Sequence, residues 1–238
     1  MVIIISSSCK KGAVTDCFYS TGNITKEVRS IEKFNNILLK DNVSLILTKS
    51  ENVSITVEAG SNLLAGIIAD VSEDGVLEIS NSNQCNWIRS FESPIVVHLN
   101  YVDIDTIEYR SIGDITSVDT VITDSLWINV MEGAGQIKMD IIVDRMYCSL
   151  HYGTADIVLG GYCSLSYVYS ASFGLVDLAN LETGFIYVNN RSSNDVYLYA
   201  RNHLGATIEN IGNIYYTGNP GSVTFEKNGA GELIKLPD

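Results

Sequence analysis

The sequence predicts an all-β solenoid, a parallel β-helix whose coils take about twenty residues each. Three observations predict it. A triplet of small, polar and apolar residues recurs along the chain: Gly113-Asp114-Ile115, Gly135-Gln136-Ile137, Ala155-Asp156-Ile157, Gly174-Leu175-Val176, Asn194-Asp195-Val196, Gly212-Asn213-Ile214 and Gly231-Glu232-Leu233. Its middle residues are separated by steps of 22, 20, 19, 20, 18 and 19. Each unit also carries two short stretches of period-two apolar alternation, such as "LWINVM" (126–131) with "QIKMDI" (136–141). That alternation, rich in Val, Ile and Tyr, reads as half-buried strand. Finally, no stretch has helical periodicity, and Gly or Asn punctuates every unit.

Taken in order, the chain begins with "MVIIISSSCKKG", five apolar residues, three serines and Cys9. A signal peptide needs about 7–15 apolar residues, so this reads as the tail of one. Small residues before Cys9, with Lys10-Lys11-Gly12 after it, resemble the cleavage site of bacterial lipoproteins, although Ser6 stands where Leu is usual. The expectation is a signal remnant, lipobox-like Cys and tether over 1–22, with Cys9 as the lipid attachment residue. Residues 23–238 then form one β-helix domain. Over 23–100 the strand-like runs "VSLILTK", "NVSITVEAG", "VLEISN" and "PIVVHL" are longer and lack the triplet. They read as irregular early coils or a cap, which a solenoid needs because an open end exposes backbone and core. Residues 101–238 are the regular coils. In them the third triplet residue points inward, so Ile137, Ile157, Val176, Val196 and Ile214 should stack. The first sits at a sharp corner, where Gly is easy because it lacks a Cβ and Asn tolerates left-handed geometry.

The net charge is −13, from 15 basic and 28 acidic residues. Such a surface repels nucleic acid and anionic headgroups, so neither is an expected partner and membrane contact is left to the lipid anchor. No apolar run reaches the roughly 18 residues of a membrane helix. The five cysteines match no paired zinc spacing. Cys148 and Cys163 do not share a coil position and read as buried thiols, while a Cys17–Cys85 bridge stays open.

Candidate sites are few. His98, His151 and His203 occupy different phases of the repeat, so no metal site or nucleophilic triad is expected, and no cofactor. Asp114, Asp156, Asp195 and Glu232 form a sparse acidic ladder at the corners, alternating with uncharged residues. Their expected spacing of roughly 10 Å, two coils of a stack, exceeds the carboxylate separation glycosidases use. Among thirteen tyrosines, Tyr197 and Tyr215 should stack on adjacent coils, with Tyr187 on another face. Exposed aromatics on a flat sheet stack on sugar rings and anchor protein contacts, so these three mark a candidate binding face.

The stretches "TGNITKEVRSIEKFNNI" (21–37), "VSITVEAGSNLL" (53–64), "DGVLEIS" (74–80), "GNIYYTGNPGSV" (212–223) and "GAGELIKL" (229–236), with the recurring corners, resemble the putative auto-transporter adhesin, head GIN domain family. The likeness covers nearly the whole chain after Thr21. It departs from the usual corner at Leu175 and at Asn194-Asp195. The resemblance implies a single-stranded right-handed β-helix on an exported, often lipid-anchored bacterial protein in the outer membrane or cell envelope. It implies no catalytic residue. The expected function is a lipid-anchored, adhesin-like module that presents a long face to a glycan or protein, with a homo-oligomer compatible with it. The other class is a pectinase-like polysaccharide lyase or hydrolase, since β-helices host both.

Overall fold

The structure, a computed structural model, describes residues 20–83 and 94–237. Cys9, Cys17, Cys85 and most of the expected tether lie outside the described residues. Among the described residues, the regular elements are strands apart from one 3-10 turn at Leu64–Gly66. The N-terminal ones are β1 (Ile24–Arg29), β2 (Asn36–Asp41), β3 (Val43–Lys49), β4 (Ser54–Gly60), β5 (Ile67–Val71), β6 (Val76–Asn81), β7 (Ile95–Tyr101), β8 (Thr106–Ser111) and β9 (Ile115–Ser117). Then come β10 (Val121–Val130), β11 (Gln136–Leu150), β12 (Asp156–Ser170), β13 (Val176–Asn190), β14 (Val196–Ile208), β15 (Ile214–Thr217), β16 (Ser222–Lys227) and β17 (Leu233–Lys235).

From β10 to β14 each strand pairs in parallel with the next. The chain therefore climbs one rung per coil. The long strands are bent rather than straight. In β11, Ile137, Met139, Ile141 and Val143 are buried in alternation; Asp144 and Arg145 are both exposed; then Met146, Cys148 and Leu150 are buried. Two outward residues in succession mark a corner, so one strand lines more than one side of the solenoid.

The predicted inward stack is present. Ile137 pairs with Ile157, Ile157 with Val176, Val176 with Val196, and Val196 with Ile214. All five are fully buried. Ile115 and Leu45 extend the column on one side, Leu233 on the other. Burial of such columns is the main stabilising term, at about 25 cal/mol for each Å² of apolar surface removed from water. Cys148 and Cys163 are buried free thiols in separate columns, opposite Val168 and Val143. Burial pushes their pKa values up to about 12 and about 11.

Chain order and spatial order part company at the N-terminal end. β2 lies between β6 and β8, parallel to both, and β3 lies likewise between β7 and β9. The coil 36–49 is thus inserted beneath a coil that follows it in sequence. Beyond β7 the pairing turns antiparallel: β4 on β7, β1 on β4, and β5 on β6. These antiparallel strands close that end.

The corner glycines are needed for their missing Cβ, as expected, whereas the left-handed geometry allowed for at the corner is not used there. None of Gly113, Gly135, Gly174, Gly212 and Gly231 has positive φ, and neither does Asn194. Instead, a Cβ added to Gly174 would lie 1.8 Å from the Ala155 carbonyl oxygen, and one on Gly212 would lie 2.1 Å from that of Asn194. The constraint is the closeness of the coil below. Positive φ occurs two residues earlier, at Gly133 and Gly153, where the chain does need glycine's freedom.

Candidate functional site: an aromatic face and its groove

The second half of each long strand presents one flat side of the solenoid. Its outward residues form rows, because every coil repeats the same phase. In one row, Trp127 pairs with Tyr147, Tyr147 with Tyr167, Tyr167 with Tyr187, and Tyr187 with Gly205. The four rings stack along the axis. Centroid separations are 5.0, 5.3 and 5.3 Å, with interplanar angles of 7°, 9° and 15°. Trp127, Tyr167 and Tyr187 are each about two-fifths exposed. The spacing follows from the strand repeat of about 4.8 Å, which suits offset ring stacking.

Two residues further along each strand runs a parallel row: Asn129, Ser149, Tyr169, Asn189, Thr207 and Glu226. Ser149 donates to Asn129 Oδ1 at 2.7 Å, and Asn189 Nδ2 donates to Glu209 Oε1 at 2.9 Å. Between the two rows lies an open groove of about 640 Å³ running along the axis. Its floor is the strand surface at Cys148, Val168, Val188, Ala206 and Phe225. The aromatic row stops at Gly205, where an added Cβ would lie 2.7 Å from the Tyr187 ring. Tyr187 therefore reaches over Gly205, and a side chain there would displace it. At the same end His203 meets the Tyr187 ring at 5.3 Å, tilted by 52°, and its Nδ1 lies 2.7 Å from Ser222 Oγ.

The stacking sets what the face can do. Ring faces inside the row are covered by neighbouring rings, so solvent meets ring edges and phenol hydroxyls. A sugar stacking broadside on each ring is therefore not available within the row. Along its length the face offers a line of edges beside a polar row, which suits an extended ligand lying parallel to the axis.

The residues singled out from the sequence fall as follows. Tyr197 and Tyr215 stack at 5.0 Å and 9°, half-buried, with Tyr197 in register with Asp177 on its other side. Burial, then Asp195, raise the Tyr197 pKa. Tyr187 lies on the other, aromatic face. Of the four stacked rings, Tyr187 alone is among the residues expected from the sequence; Trp127, Tyr147 and Tyr167 are not. The signal was there, since an aromatic stands at positions 127, 147, 167 and 187, one coil length apart.

The acidic ladder has a structural occupation. Asp114 Oδ1 accepts the Gln136 N–H at 2.9 Å, Asp156 Oδ1 that of Leu175 at 2.8 Å, and Asp195 Oδ1 that of Asn213 at 2.7 Å. Asn213 Oδ1 accepts in turn from Glu232 N at 2.9 Å. Each short polar side chain thus satisfies the backbone of the same corner one coil on. The histidines remain apart: His98 lies 2.8 Å from Glu58, and His151 tilts against Tyr169. Among the described residues no three His, Cys, Asp or Glu side chains gather as a metal site.

Residues 33–220 match the family model described as putative auto-transporter adhesin, head GIN domain. The chain belongs to this family. No curated protein matches the sequence. Among solved structures, a putative adhesin from Bacteroides fragilis is similar over 90% of this chain and 97% of its own, with a TM-score of 0.82 at 17% identity. A putative adhesin from Parabacteroides merdae covers 92% of this chain and 98% of its own, with a TM-score of 0.63 at 15% identity. A putative lipid binding protein from Parabacteroides distasonis covers 92% and 98%, with a TM-score of 0.69 at 18% identity. At these identities the likeness is one of fold, and the head GIN fold is the β-solenoid described above.

Proposed function

We propose that this head GIN domain chain is an exported, lipid-anchored binding module of the cell envelope. On this reading it holds an extended glycan or protein segment along its aromatic face. The observation that carries the reading is the four-ring stack from Trp127 to Tyr187 beside an open groove. Exposed aromatic rows cost solubility unless they make contact. Membership in an adhesin family supports export, and the Cys9 context supports a lipid anchor. A multiply acylated Cys9 would hold the membrane, whereas one chain binds only weakly.

A polysaccharide-cleaving role draws no support from the groove. Glycosidases pair two carboxylates about 5–9.5 Å apart, and among the groove's described lining residues Glu226 is the one carboxylate. The test is a glycan array read alongside a reducing-sugar assay on acidic polysaccharides. The expected result is binding that falls at least tenfold when Tyr147, Tyr167 and Tyr187 are changed to Ser, without release of reducing ends. Binding unaffected by the triple change would remove the aromatic face as the site. Mass spectrometry of the native protein tests the anchor, and an unmodified N-terminus upstream of Cys9 would exclude it.

A further inference from the structure

The two ends of the solenoid are finished differently. At the N-terminal end β4 and β5 lie antiparallel on the parallel strands β7 and β6, and β1 lies antiparallel on β4. At the other end the flat face stops at β16, which pairs with β14 and with no further strand among the described residues. Its inward residues stand over buried columns. Val223 is in register with Leu204, and Phe225 with Ala206. Leu204 and Ala206 are buried, yet Val223 and Phe225 are each 42% exposed. One position on, Lys227 stands over buried Ile208 and turns its ammonium to Glu232. The core is therefore open at this end, and the outer edge of β16 offers unpaired backbone groups, a combination that natural sheets avoid leaving free.

We propose that this end is a homodimer interface, in which β16 pairs antiparallel with β16 of a second copy about Thr224. Three features select a second copy as the occupant. An open sheet edge is satisfied best by another sheet edge, because each supplies the N–H and C=O groups the other lacks. The strand is also complementary to itself in this register. Val223 of one copy meets Phe225 of the other on the inner side, Thr224 meets Thr224 on the outer side, and Ser222 meets Glu226, so no like charges oppose. Finally, residues 213–237 contain Lys227 and Lys235 against Glu226 and Glu232, a local balance of zero in a chain of net charge −13. Two strongly acidic molecules meet here without repulsion at the contact. The pairing closes both cores and joins the two aromatic faces into one continuous sheet. It stands independently of what that face binds.

Sedimentation velocity of the full chain, from low to high micromolar concentration, tests the proposal. The expected result is a monomer–dimer equilibrium whose dissociation constant rises at least tenfold in Phe225→Lys, with the far-UV circular dichroism unchanged. A second arm does not depend on that variant folding. Thr224→Cys is at an outward position, and directly opposed residues of an antiparallel pair lie within disulfide reach. Under oxidation it should give a reducible dimer above the wild-type background, while Val223→Cys, which faces Phe225 of the partner, should not. A full chain that stays monomeric throughout, with or without its own N-terminal segment lying on β16, overturns the proposal. So does a dimer as tight in Phe225→Lys as in wild type, or equal cross-linking of the two cysteine variants.

Discussion

The Tyr109 hydroxyl joins two successive corners of the solenoid: it donates to the Gly113 carbonyl at 2.7 Å and accepts the Gly135 N–H at 2.9 Å. Elsewhere a serine two residues earlier does the second task. Ser111 Oγ takes the Gly113 N–H, Ser172 Oγ that of Gly174, and Ser192 Oγ that of Asn194. At the second corner the equivalent position is Gly133, with φ of 121°, so no hydroxyl is available locally. Tyr109 reaches up from the rung below to provide it. Tyr109→Phe should then leave two half-buried backbone groups without their partner and lower stability by about 1–3 kcal/mol. Urea unfolding of the two proteins checks this, and an unchanged midpoint would show that water replaces the phenol.

Alkaline pH should destabilise the fold through the same residue and Tyr101. Burial, with Asp119 and Asp103 nearby, pushes Tyr101 to about 12. Burial also pushes Tyr109 to about 12, against the opposing pull of the Gly135 N–H. The unfolded phenols titrate near 10. Because the fold favours the neutral form, this contribution is complete below pH 10 and is lost as pH rises toward 12. Thermal melts should therefore show a falling midpoint across that window, with phenolate absorbance from these two rings appearing after that of the exposed tyrosines.

Gly174→Ala tests why glycine stands at this recurring corner. On backbone conformation alone alanine would be tolerated, since φ there is not positive. Because the Ala155 carbonyl fills the space a Cβ would need, the substitution should force the coils apart. Overpacking of this kind costs about 1–3 kcal/mol. Equilibrium denaturation of the variant measures it, and a loss near zero would mean that the corner relaxes freely.

Val196→Asp tests the inward column. Val196 lies between Val176 and Ile214 and is fully buried. A carboxylate there meets no partner, so the variant should lose several kcal/mol and accumulate as unfolded or aggregated chain. Val196→Ile, which keeps the column apolar, should fold and is the control for expression.

Coil length, the inward column and the position of each corner are legible in the sequence, because they depend on the phase of a local pattern. Period-two alternation decides which side chains are buried, and a corner recurs wherever every coil must turn. From Ile137 to Ile214 that reading and the structure coincide residue by residue. The aromatic row was equally legible at 127, 147, 167 and 187, once the interval of twenty is applied to outward residues as well as inward ones.

Where β2 and β3 sit, what each corner glycine would collide with, and how each end is finished arise only in the stacked fold. A parallel stack is nearly degenerate along its axis: any alternating strand fits any rung, so the pattern of 36–49 does not say that it lies between β6–β7 and β8–β9. Competition between rungs settles that, through pairings distant in sequence, as of Asn36 with both Val76 and Thr106. The closeness of Gly174 to Ala155, the reach of Tyr109 to Gly135 and the exposure of Phe225 likewise arise from neighbours one coil away or from their absence. Such contacts leave no mark on the local sequence, because they depend on distances along the axis that only the stacked coils define.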